Sequence, residues 1–222
     1  MATQLRFADR LFTGELLYRT SFSSLDDFWW EGAPDVTVRG GELIVRTTLE
    51  RDDRAHFVST VFLRRAFQDD VLVEFQARSL HEQSQRNFNL FLHASDPAGM
   101  DLYDTRTGRT GLYDEYHALN NYLFTCVPSE QKNADGSDKM RIRMRRNPGF
   151  ILEQEAHSYA CENDRWYTFQ YLLLGGEVSL CIDRLPQETY TWHDPSPLSG
   201  GYLGFRTYMS HLAIRGLRAY GI

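Results

Sequence analysis

The sequence predicts an all-β protein, a two-sheet antiparallel jelly-roll sandwich, and three observations carry the prediction. Short segments rich in β-branched and aromatic residues recur along the chain, among them TVRGGELIVRTTL, DVLVEFQARS, NFNLFLHAS, YLFTCV, MRIRMRR and YLGFRTY, and most alternate apolar with polar positions. Glycine pairs at Gly40-Gly41 and Gly175-Gly176 stand between such segments, where two-residue hairpin turns need residues that tolerate positive φ. No amphipathic helical window of adequate length separates the strands, which disfavours a βαβ array. With 222 residues the chain can bury a sizeable core, and sandwiches of this size are commonly one domain, so 1–222 is read as a single unit.

In chain order, residues 1–15 read as an N-terminal extension and the strands begin at Leu16. Short helices are expected over 24–28, with Ser23 or Ser24 as N-cap, and as a turn near 79–83. Adjacent Trp29 and Trp30 cannot both face inward on an extended segment, so one of them is expected at a cleft rim or an interface. The polar stretch 127–138, VPSEQKNADGSD, carries Pro and Gly and reads as a mobile loop.

Composition narrows the function classes. The net charge of −6 argues against duplex nucleic acid as the main partner, which demands a basic face to replace phosphate counterions. No window approaches a membrane span and the opening MATQLRFADRLF lacks an apolar leader core, so a cytoplasmic protein with no membrane partner is expected. Cys126, Cys161 and Cys181 form an odd set without CxxC spacing, which fits reduced thiols in a core. The histidines show no zinc spacing, Asp96, Asp101 and Asp104 match no calcium loop, and the run 133–138 lacks a terminal bidentate Glu. No metal and no cofactor are therefore expected, and oligomeric state is left open.

The residues SFSSLDDFWWEG followed by a Gly-bounded strand resemble the opening of concanavalin-A-like glucanase and lectin domains. More specific are Asp101-Leu102-Tyr103-Asp104, the run from Arg109 to His117, Asn147-Pro148-Gly149-Phe150, and Gly204-Phe205-Arg206. Together they resemble the YesU-like family of uncharacterised concanavalin-A-like jelly-roll proteins, over nearly the whole chain. The resemblance implies a sugar ligand and a connection with bacterial carbohydrate use, including pectic rhamnogalacturonan. It implies no catalytic assignment.

The stretch 101–127 is the expected active face. If 112–117 is extended, Tyr113, Glu115 and His117 share one side and Asp114 and Tyr116 the other, bringing a phenol, a carboxylate and an imidazole onto one surface. His117, Tyr113, Glu115 and Tyr116 are the candidate catalytic groups, and Arg109, Asn120, Asn121, Arg143 and Trp30 the candidate substrate-binding ones. A retaining glycosidase needs two carboxylates about 5–5.5 Å apart, and adjacent Asp114 and Glu115 would point apart on a strand, so a partner such as Glu74 or Asp104 would be required. A lyase instead needs Asn, Gln or Arg on a uronate carboxylate and Tyr or His to take the C5 proton, types that 101–127 supplies, although the Gln-Ile-His and Tyr-x-Lys-x-Gly motifs of alginate-lyase-like enzymes are missing.

The strand MRIRMRR places Arg141, Arg143 and Arg145 on one face and Ile142 and Met144 on the other. The chain has 22 Arg against 2 Lys, and the rigid guanidinium fork matches a carboxylate bidentately. These arginines either contact uronates or pair with cross-strand Asp and Glu. The expectation is an enzyme acting on oligosaccharide fragments, uronate-containing ones among the candidates, by lyase-type β-elimination or glycoside hydrolysis. The alternative is a non-catalytic, lectin-like carbohydrate-binding protein.

Overall fold

A computed structural model of the chain describes residues 2–53, 56–68, 70–80 and 84–222. Among the described residues, sixteen strands form two antiparallel sheets, and the fold is a jelly-roll sandwich. The nine-stranded sheet runs β1 (Ala2–Phe7), β2 (Arg10–Arg19), β16 (His211–Gly221), β7 (Val71–Ser79), β12 (Tyr167–Leu174), β13 (Glu177–Ile182) and β14 (Thr189–His193). Beside the first half of β16 lies β5 (Glu42–Arg46), and β4 (Asp35–Arg39) pairs with β5. The seven-stranded sheet runs β11 (Ile151–Ser158), β10 (Asp138–Asn147), β9 (Asn120–Lys132), β8 (Phe88–Ser95), β15 (Gly201–Tyr208), β6 (Val58–Phe67) and β3 (Phe28–Gly32). No helix among the described residues is long and apolar enough to cross a membrane.

Alternation explains which side chains meet. Phe88, Leu90, Phe124, Cys126, Ile142, Met144 and Phe205 of the smaller sheet face Val73, Phe75, Phe169 and Tyr171 of the larger one in the main core. Phe75 is its centre, stacked on Phe169 and Tyr171 and edge-on to Phe88 and Phe205. Both glycine-pair hairpins form as read, with positive φ at Gly40, Gly41, Gly175 and Gly176. The three cysteines are buried and free.

A second, smaller core lies on the outer face of the seven-stranded sheet. Trp29, Phe62, Phe91 and Leu123 stand there in one cross-strand row and are covered by Leu102, Tyr116 and Leu119 from the connection between β8 and β9. That connection contains the largest departure from the sequence reading, for 112–117 is not a strand. Tyr113–Tyr116 is a 3₁₀ turn. The Glu115 carboxylate accepts from the N–H groups of Thr110 and Leu112 and from the Thr110 hydroxyl, and Gly111 at φ 86° makes the bend. A capping carboxylate and a left-handed glycine outweigh the aromatic content that suggested extension.

Three other expectations are corrected, and a fourth falls largely outside the described residues. The expected N-terminal extension 1–15 is, over its described residues 2–15, not an appendage, because β1 and β2 extend the larger sheet and bury Leu5 and Phe7 against Leu72, Leu172 and Cys181. The polar stretch 127–138 is strand as far as Lys132, and only its tip is a turn, closed by Asn133 N–H to Ser137 O and Gly136 N–H to Asn133 O. The helix expected over 24–28 is a single turn, with Phe28 N–H on Leu25 O, that leads directly into β3. Of the helical turn near 79–83, Ser79 ends β7 and residues 81–83 lie outside the described residues.

Gly204 lets the aromatic row close. A Cβ there would sit 2.4 Å from the Phe62 ring, which is held between Trp29 and Phe91 and has no free direction to move. Gly204→Ala is expected to destabilise the protein by about 1–3 kcal/mol through overpacking, measured as a shift in the urea midpoint with an unchanged m-value.

Candidate functional site

Register on the outer face of the seven-stranded sheet sorts its residues into rows. One row runs from Arg143 on β10 through Thr125, Asn89, Arg206 and Thr60 to Glu31 on β3. On one side of it lies the apolar row that the 101–119 connection covers. The row on the other side, carrying Arg141, Val127, Tyr208 and Val58, lies outside that cover, and of these four only Val58 is buried. The uncovered part of the face forms the floor of a cleft of about 800 Å³, walled by Leu112, Tyr113, Asp114, Glu115 and Phe150. That volume falls in the range of small-molecule sites.

Its electrostatic character is set by four guanidinium groups. Arg143 pairs with Glu155 at 2.9 Å, but Arg141, Arg145 and Arg206 have no carboxylate within ion-pair distance among the described residues. The Nε atoms of these three are buried without a hydrogen-bond partner. Aromatic faces hold two of the groups instead, with Arg206 4.6 Å from the Tyr113 ring centre and Arg145 4.3 Å from that of Phe150. Burial pulls the pKa of Arg206 and of Arg145 down, yet a guanidinium stays charged. Around them Gln85, Asn87, Asn89 and Thr125 supply donors and acceptors, and Phe57 packs edge-on to Tyr208 at 5.2 Å.

The residues singled out from sequence divide sharply. Tyr113 lies in the cleft, with its hydroxyl 3.0 Å from Thr125 Oγ1, and Arg143 stands at the cleft's outer side. Glu115 also borders the cleft, but its carboxylate is occupied in capping the 110–112 bend. Tyr116 is fully buried and donates to Glu31 Oε2 at 2.7 Å. Arg109 is likewise structural, gripping Glu31 through Nε and Nη2. Asn121 is buried, donating to the carbonyls of Tyr116 and Leu119, and Asn120 donates to Ser95 Oγ. His117 lies behind Phe150, stacked on it at 3.9 Å with Nε2 buried, and does not line the cleft. Trp30 is exposed while Trp29 is buried, as the alternation required, but Trp30 borders a separate depression with Arg106 and Thr107.

Among the described residues, no free carboxylate pair faces the cleft. Its acidic lining residues are Asp114 and the committed Glu115, while Glu74 belongs to the other sheet, held by Arg184 and Gln170. Asp104 is exposed and outside the lining. Among the described residues no three His, Cys, Asp or Glu side chains converge as a metal site.

Sequence reasoning missed Arg206, Asn89, Tyr208 and Phe150 as cleft residues. For Arg206 a signal existed: it is the one charge in the otherwise uncharged strand YLGFRTY, where a buried cation needs a reason. Phe150 depends on the β10 to β11 turn, whose Gly149 N–H donates to His117 O and whose Phe150 N–H donates to Asn147 Oδ1.

A family model described as a domain of unknown function, DUF6250, matches residues 55–217. No curated protein matches the chain. Among solved structures the chain is similar to a protein of unknown function with galectin-like fold from Bacillus subtilis, with TM-score 0.74, 21% identity, and 99% of this chain and 98% of that one covered. It is also similar to the carbohydrate-binding module CBM66 from Bacillus subtilis, with TM-score 0.54, 13% identity, and coverage of 86% and 93%. A β-glucanase from Bacillus licheniformis gives TM-score 0.60, 9% identity, and coverage of 94% and 99%. At these identities the likeness is one of fold.

Two predictions test the cleft wall. Glu31→Ala strips the buried Arg109 of its partner, and a loss of about 3–5 kcal/mol is expected from the urea midpoint. Burial lowers the His117 pKa, an effect that Asp114 opposes and that Arg145 and Arg206 reinforce. The unfolded chain therefore binds a proton at His117 more readily than the folded one, and stability falls as pH drops below the unfolded value of about 6.5. Between about pH 7.5 and 5 the wild type should lose more of its urea midpoint than His117→Asn.

Proposed function

This chain belongs to the family of domains of unknown function DUF6250, and we propose that its arginine-lined cleft binds an acidic oligosaccharide that carries uronate carboxylates. The observation that carries the reading is Arg206, which is 3% exposed, lines the cleft and has no carboxylate within ion-pair distance among the described residues. A buried cation that feels Asp114 and Glu115 only at a distance is costly, and a ligand carboxylate would supply a paired, charge-assisted hydrogen bond. Asn87, Asn89, Gln85 and Thr125 suit sugar hydroxyls, and Phe57 and Tyr208 offer apolar surface to a pyranose ring. The fold likeness to a carbohydrate-binding module and a β-glucanase supports a sugar over other carboxylates. The kinship with YesU-like proteins, a cytoplasmic location and a single domain over 1–222 are parts of the same proposal.

Lyase-type β-elimination is the second reading, favoured by the Tyr113 hydroxyl lying beside Thr125 while Arg206 stands over the Tyr113 ring. In that reaction the Tyr113 phenolate would take the C5 proton of a uronate whose carboxylate rests on Arg206. The C4–O bond would then break, and the same proton would pass to the leaving oxygen. Hydrolysis is the weaker chemistry here, since among the described residues the cleft offers Asp114 without an uncommitted second carboxylate.

The test is a panel of neutral and uronate-containing oligosaccharides, with binding measured by calorimetry and products by absorbance and mass. Uronate ligands should bind, and Arg206→Gln or Arg145→Gln should weaken them by about 10- to 100-fold while sparing neutral counterparts. Equal losses on both ligand types would reject the acidic-sugar reading. New double bonds that vanish in Tyr113→Phe, with binding retained, would establish the elimination.

A further inference from the structure

The row from Arg143 to Glu31 is open at one end and closed at the other. Arg143 and its partner Glu155 retain 29% and 39% side-chain exposure. Inward along the row, Thr125, Asn89 and Arg206 are 6%, 1% and 3% exposed, and beyond them Thr60 and Glu31 are 0% and 3% exposed. The closure is made by backbone. A Cβ on Gly111 would lie 3.0 Å from Glu31 O, and one on Gly32 3.3 Å from Thr110 O, so the 110–111 segment lies directly on the edge strand. Arg109 and Tyr116 fasten the same segment through Glu31, and none of the five residues of β3 lines the cleft. In the neighbouring row Phe57 and Tyr208 pack together at the β6 side.

We infer that the cleft takes the end of an acidic sugar chain and not its middle, with a terminal uronate seated over Arg206 and the rest of the chain leaving past Arg143 and Arg141. This rests on the reading of the cleft as an acidic-sugar site. A polymer threading along this row would need an exit beyond Arg206, where the row is occupied by Thr60, Glu31 and the segment lying on them. A chain end needs none. The cations are graded in the same sense, with Arg141 and Arg143 half-buried toward the mouth and Arg145 and Arg206 buried within. Asn89, paired in register with Arg206, keeps a buried Oδ1 without a partner, which suits a hydroxyl donor of the terminal ring.

The experiment uses three isomeric trisaccharides of two neutral hexoses and one galacturonate, with the acid at the non-reducing end, in the middle or at the reducing end. By calorimetry on the wild-type protein, one terminal isomer should bind at least about tenfold tighter than the middle isomer. Long polygalacturonate should bind no tighter, counted per chain end, than its trimer. If the middle isomer matches both terminal ones, end recognition is wrong while the acidic-sugar reading stands; if no isomer binds, both fall. Arg206→Gln, verified as folded by circular dichroism, should reduce the preferred isomer to the affinity of the middle one. Retention of the preference in that variant would overturn Arg206 as the seat.

Discussion

The construction of the outer face depends on the Glu31 carboxylate. It lies at the edge of a sheet whose apolar row of Trp29, Phe62, Phe91 and Leu123 must be covered, and the covering segment has almost no regular structure to stiffen it. Arg109, Tyr116 and Trp29 all donate to that one buried carboxylate, which uses the acceptor capacity of both its oxygens and fixes the segment on the edge strand. An ion pair this deep adds little net stability over an apolar replacement, because desolvating both charges offsets most of the attraction. What it adds is position. An apolar patch could slide over Phe62, whereas a guanidinium gripping a carboxylate through two nitrogens cannot.

From that fixed position the cleft follows. The covering segment stops part-way across the sheet, and where it stops the floor changes from aromatic to polar and cationic. Tyr113 stands on the boundary: its ring packs with the smaller core and under Arg206, and its hydroxyl meets Thr125 on the open floor. His117 and Phe150 brace it from behind, each edge-on to its ring. The wall that covers the aromatic row is therefore the wall that shapes the cleft. A change in the buried cover should be felt at the arginines without touching them, because interiors packed this closely transmit displacement.

How much of this was legible in the sequence varies by element. The sheets were readable because period-2 alternation is a local property: MRIRMRR shows its two faces without reference to any other strand, and Trp29 and Trp30 divide as adjacency demands. The 3₁₀ turn at Tyr113–Tyr116 was not readable from alternation, since what decides it is the Glu115 side chain returning to Thr110 and Leu112. The site was half legible for a related reason. Tyr113 and Arg143 belong to runs whose polarity stands out, and Arg206 is a lone charge in an uncharged strand, but Asn89 gains its meaning only when four strands bring it into one row with them. Asn121 and Arg109 looked like ligand groups because polar side chains that hold loops use the same chemistry as those that hold sugars.

The preference for arginine bears on how such a site would work in a chain of net charge −6. A long-range field of that sign repels an acidic ligand, so attraction has to come from nearby cations whose charge is not cancelled in place. Lysine would suit this poorly, because a buried ammonium readily gives up its proton, while a guanidinium keeps its charge and can lie against an aromatic ring as Arg206 does on Tyr113 and Arg145 on Phe150. Aromatic faces hold these cations without neutralising them, and that is the difference between Arg206 and Arg109. Both are buried, but Arg109 is spent on a carboxylate of the chain itself, whereas Arg206 has none within ion-pair distance among the described residues.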